Sequence, residues 1–219
     1  MQMLRILGIT AIFLSGFLLS GCQTTYYNAM EKFGYEKRDL LLSQIADARG
    51  AQEDAKEQYA DALEQFIAVT NFEGGELEKQ YKKLKSQYEK CEARADDVHD
   101  EIKDVERVAR DLFREWGKEL KEYSTSDLRR SSERQLETTR TRYAQLIDTM
   151  KQAEDKIGPV QEAFQDRVLF LKHNLNAKAI ASLKGNRAEI ESDVTSLIAE
   201  MNKSIAEADD FIKSMDNKK

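Results

Sequence analysis

The stretch LEKQYKKLKSQYEKCEARADDVHDEIKDVERVARDLFREW, residues 77–116, places Leu77, Tyr81, Leu84, Tyr88, Cys91, Ala95, Val98, Ile102, Val105, Ala109, Leu112 and Trp116 at alternating steps of four and three. Such a heptad puts every apolar residue on one stripe of a helix, and only a partner helix can bury a stripe that long. Three more series keep the same step. The first runs Leu41, Ile45, Ala48, Gln52, Ala55, Tyr59, Ala62, Phe66 and Val69. The next is Leu136, Thr139, Tyr143, Leu146, Met150, Ala153, Ile157, Val160 and Phe164. The last is Leu183, Arg187, Ile190, Val194, Leu197 and Met201, continuing less cleanly through Ile205, Ala208 and Phe211. One proline in 219 residues, with 34% of the chain charged and a mean hydropathy of −0.65, agrees with long solvated helices rather than sheet.

Turn chemistry separates the series. Asn71-Phe72-Glu73-Gly74-Gly75 holds two residues that tolerate positive φ. Ser124-Thr125-Ser126-Asp127 resembles a hydroxyl-capped helix start, and Asn174-Leu175-Asn176 is a weaker break. Gly158-Pro159 falls inside the third series; the apolar seam passes through it, so a kink is expected and not a reversal. Helices are expected at about 30–70, 76–123, 127–173 and 178–216 within a bundle domain spanning 30–216. Short connections force antiparallel neighbours. The fold class is therefore all-α, an elongated antiparallel up-down-up-down helical bundle of coiled-coil character. The runner-up is two helical hairpins that complete their core by dimerising, so homo-oligomer formation stays open.

Residues 1–21 read as a signal peptide: Arg5, an apolar body from Ile6, then Leu19, Ser20 and Gly21 ahead of Cys22. Leu-Ser-Gly-Cys matches the lipobox, in which the cysteine thiol receives diacylglycerol and becomes the first residue of the mature chain, carrying acyl chains such as palmitate. The apolar run is too short for a membrane-spanning helix. Residues 22–29 are the lipidated start and a short linker. Gln23, where an Asp would favour inner-membrane retention, directs the expectation to the periplasmic face of the outer membrane. Tyr26, Tyr27, Phe33 and Tyr35 come next, suited either to a headgroup interface or to the first turns of the core.

Function classes are narrowed by what the residues can do. The chain carries a net charge of −6 with both signs interleaved, which provides no footprint for nucleic acid and no polybasic block for anionic lipid. Once Cys22 is lipidated, Cys91 stands alone at a seam position; an inert buried thiol is expected there, against the sharper reading of an intermolecular disulfide. His99 and His173 sit in no metal-ligand spacing, so neither metal nor cofactor is expected. Gly117-Lys118 is followed by Glu119 and fails as a phosphate loop. Asp96-Asp97 and Asp209-Asp210 read as solvated helix charges.

The runs Glu31-Lys32-Phe33-Gly34, Lys37-Arg38-Asp39, Asn71 to Gly75, Glu115-Trp116 and Leu171-Lys172-His173-Asn174-Leu175-Asn176-Ala177 together resemble a family of Gram-negative helical, mostly lipoprotein-like chains catalogued as domain of unknown function 2959. The likeness covers nearly the whole mature chain and implies no activity and no site residues. The expectation is a non-enzymatic, outer-membrane-anchored scaffold, spacer or partner-binding rod. Its membrane attachment is the lipid on Cys22, and its protein partner in the envelope would meet Phe72, Glu73, Gly74, Gly75, His173, Asn174 and Asn176 at the pole opposite the lipid. The alternative is a periplasmic chaperone or carrier for apolar clients or lipid, which gaps in the seam at Gln52 and Arg187 would favour.

Overall fold

Each heptad series becomes helix. The computed structural model describes residues 37–72, 74 and 76–216. Six helices occupy them: α1 (Lys37–Thr70), α2 (Leu77–Glu119), α3 (Ser126–Asp155), α4 (Ile157–His173), α5 (Ala177–Gly185) and α6 (Arg187–Asp216). No strand occurs among the described residues. The chain divides into two units, Met1–Leu40 and Leu41–Lys219. Of the first, only the opening turn of α1 is described. The second unit holds the bundle.

Pairs across the helices set the topology. Gln58 donates to Gln87 at 2.6 Å and Gln65 to Gln80 at 3.2 Å, so α1 and α2 run antiparallel. Trp116 Nε1 donates to Ser132 Oγ at 2.8 Å, and Phe113 meets Tyr143 edge-on at 5.4 Å, which turns α3 back along α2. Lys203 to Gln152 and Arg167 to Glu189 bring α6 down α3 and α4. Lys56 donates to Asn202 at 3.2 Å, and Arg49 Nε stands 2.6 Å from Asp209 Oδ1, an ion pair by distance whose angle falls short of a hydrogen bond. These close α6 onto α1. The Phe66 and Phe164 rings cross the middle in an edge contact at 6.3 Å. The result is an up-down-up-down bundle with sequential neighbours.

The seams are its core. All nine α1 positions from Leu41 to Val69 are fully buried, as are Val98, Val105, Phe164, Val194, Leu197 and Met201. Leu77, Tyr81, Ala95, Trp116 and Tyr143 are only half-buried. Gln52 is filled into the seam at 0% exposure, yet neither of its amide atoms has a hydrogen-bond partner, and Ser204 Oγ is buried in the same condition. The register fixed by Arg49–Asp209 and Lys56–Asn202 puts these two polar residues at one level. Arg187 leaves the seam: it is half-buried and pairs with Glu191 at 2.6 Å.

Four local expectations are refined. The third helix is interrupted at Lys156, which keeps helical backbone angles (φ −76°, ψ −18°), so the chain continues into α4 without reversing. Pro159 thus lies in the first turn of α4, where its missing N–H deprives no carbonyl of a needed bond. The fourth helix is also divided, at Asn186 after Gly185, two residues that stabilise helix poorly. The α2 helix stops at Glu119, four residues short of Tyr123. At Thr125 the backbone is extended as a cap requires, but its hydroxyl makes no capping bond, and Asp127 is engaged by Arg130 instead.

Candidate functional site

The α1–α2 turn and the α4–α5 turn lie at one pole of the bundle. Gly74 takes φ +106°, a conformation that glycine adopts without strain, and this lets the chain reverse after α1. On the other connection, Asn174 closes α4: its backbone N–H donates to Leu171 O at 3.2 Å and its side-chain amide to Phe170 O at 2.9 Å. Asn176 opens α5 by accepting from Ala179 N–H at 3.0 Å, a cap that contributes ~1 kcal/mol. Between them Leu175 points out and lines an open hollow of about 590 Å³ with Glu76, Leu77, Glu78, Lys79 and Lys82. The topology therefore brings residues separated by about a hundred positions into one surface.

Of the residues expected at this pole, Phe72 is half-buried, Gly74 exposed, His173 exposed at the end of α4, Asn174 half-buried and Asn176 exposed. Glu73 and Gly75 lie outside the described residues, as do Leu19, Ser20, Gly21, Cys22, Tyr26, Tyr27, Phe33 and Tyr35. Leu175, Leu169 and Phe170 were not among the expected contacts. Their exposures of 42%, 47% and 38% are large for apolar side chains. The signal available in sequence was that neither Leu169 nor Phe170 belongs to the seam.

A second hollow, of about 380 Å³, lies between α2 and α3 and is lined by His99, Ile102, Lys103, Glu106, Lys151, Glu154 and Asp155. His99 Nδ1 stands 2.5 Å from Glu154 Oε1, and Lys151 bridges to Glu106. Sequence spacing hid this pairing, whose members are 55 positions apart. The hollow's lining has no serine, threonine or cysteine to serve as a nucleophile beside the histidine. Among the described residues no group of three or more His, Cys, Asp or Glu side chains could hold a metal ion.

Cys91 is buried, its Sγ 3.6 Å from the Gln58 carbonyl oxygen. Burial pushes the thiol up to about 12, so at neutral pH it is a protonated core group and not a thiolate nucleophile. The Tyr59 and Tyr88 hydroxyls are likewise held well above the ordinary phenol value, chiefly by burial. Tyr88 donates to Glu92 at 2.7 Å.

Fold and pole together define an all-α antiparallel helical bundle with a mixed polar and apolar tip. The chain belongs to the family described as "protein of unknown function (DUF2959)", whose profile matches residues 26–215. No curated protein and no solved structure matches it.

Proposed function

We propose that this protein is a non-enzymatic, lipid-anchored component of the cell envelope, held through Cys22 at the periplasmic face of the outer membrane, whose bundle serves as a scaffold or spacer. Its working surface is the pole formed by the two turns. The observation that carries this reading is the meeting of Leu175 with Glu76, Leu77 and Lys82, which makes one surface from both connections. The Leu-Ser-Gly-Cys run at residues 19–22 supports the anchor, and no described helix is long and apolar enough to cross a membrane. The filled, fully buried Gln52 position supports a scaffold over a carrier that opens for apolar clients, whereas Arg187, which leaves the seam to pair with Glu191, does not add to that support.

Cys22→Ser removes the thiol that would take diacylglycerol, and cleavage depends on that modification. Mass spectrometry of the membrane fraction should then show an unacylated, unprocessed chain. Cleavage before residue 22 with unchanged membrane retention would overturn the anchor.

A further inference from the structure

From Arg167 to Ala188 the chain has five lysines or arginines and no Asp or Glu, although the protein as a whole carries a net charge of −6. The ends of this stretch are neutralised: Arg167 lies 3.3 Å from Glu189, and Arg187 is 2.6 Å from Glu191. Lys172, Lys178 and Lys184 between them are exposed, and none has an ion-pair partner among the described residues. Elsewhere lysines are commonly matched within one turn, as Lys79 with Glu76 at 3.7 Å and Lys82 with Glu78 at 2.7 Å in the adjoining hollow. Lysines elsewhere also lack an ion pair among the described residues, among them Lys83, Lys90, Lys118, Lys121 and Lys156; what sets this stretch apart is that no Asp or Glu lies within it.

Apolar exposure coincides with it. Single exposed leucines are ordinary on a protein surface. Here, however, three of the five large apolar side chains exposed among the described residues, Leu169, Phe170 and Leu175, fall within seven positions of one another. A protein-binding surface of this kind favours Arg and aromatic anchors and is depleted in Lys. Phe170 would suit such a surface, but three unpaired lysines in this stretch depart from that composition. A lysine extends its alkyl stem along apolar surface while its ammonium stays at headgroup level, and the apolar residues enter the acyl boundary.

We infer that the pole formed by the end of α4, the 174–176 turn and α5 docks on an anionic phospholipid surface. This rests on the pole being the contact surface proposed above and names what it contacts. Each lysine near an anionic bilayer contributes about five-fold in affinity, so reversing three should lower binding roughly a hundred-fold or more.

The test uses the full acylated protein in phosphatidylcholine donor vesicles, with Ser182→Cys carrying a fluorophore and, separately, Ser131→Cys on α3 as the control. Both serines are exposed, whereas Cys91 is buried. Acceptor vesicles contain a nitroxide-labelled quencher lipid in either phosphatidylcholine or an equal mixture with phosphatidylglycerol. Quenching is expected at position 182 and not at 131, only with the anionic acceptors, and it should fall with added salt. The combined Lys172→Glu, Lys178→Glu and Lys184→Glu variant should lose it, as should Leu169→Ser with Leu175→Ser, both retaining wild-type circular dichroism. Equal quenching by neutral acceptors, no quenching at all, or undiminished quenching in either variant overturns the inference. Donor incorporation, measured first, reports failure of the lipid anchor independently. Shielding of position 182 by an envelope protein without response to anionic acceptors would overturn the lipid assignment and leave the contact-surface reading standing.

Discussion

Replacing Gln52 with leucine should stabilise the protein. Gln52 is 0% exposed on the α1 seam between Ala48 and Ala55, and both its amide nitrogen and its oxygen lack hydrogen-bond partners. A buried polar group without a partner costs roughly 1–3 kcal/mol, whereas leucine has nearly the same volume and no polar atom. Allowing for imperfect repacking, Gln52→Leu should gain about 2 kcal/mol, or roughly 4–8 °C in melting temperature for a chain of this size. Gln52→Ala removes the same amide but leaves a cavity, so it should forfeit that gain and fall at or below the wild type. Urea unfolding followed by circular dichroism measures both, with the m-value checked for constancy. If Gln52→Leu is destabilised by more than about 1 kcal/mol, the amide is satisfied in solution and the argument from its isolation is wrong.

Glu101, beside Asp47, Asp104, Asp97 and Asp100, has its carboxyl raised above the ordinary value, first by burial and then by those like charges. A carboxyl raised on folding contributes stability below its unfolded pKa that is lost as pH rises through the folded value. Glu101→Gln should therefore raise the urea midpoint at pH 7 and lose that advantage near pH 4; an advantage independent of pH would remove the electrostatic explanation. Cys91 should resist a thiol reagent at pH 8 in the native protein and react promptly in urea, because the thiol is buried and pushed up to about 12. Rapid native labelling would show that the α1–α2 seam opens.

What could be read from sequence is local in origin. A heptad constrains each residue only against those three and four positions away, so the helices and the buried stripe from Leu41 to Val69 were legible without knowing any partner. Gly74 and the two asparagines of the 174–176 turn were legible for the same reason, because caps and positive φ are settled within a few residues. Lys156 and Asn186 were harder. Whether a short irregularity bends a helix or ends it depends on the surfaces packed on either side, and the apolar period continues through both. The Leu175 hollow and the His99–Glu154 pair depend on the register between distant helices, which is set by pairs such as Phe66–Phe164 and Arg49–Asp209. The charge of the pole shows the same division. The acid-free run from 167 to 188 stands in the sequence, but the whole-chain balance of −6 concealed it. The Arg187–Glu191 pair, four positions apart on one helix, is local as well, but only the tertiary structure decides that Arg167 is neutralised by Glu189 while Lys172, Lys178 and Lys184 are left unmatched beside exposed leucine and phenylalanine, because an ion pair between helices is a fact of distance and not of composition.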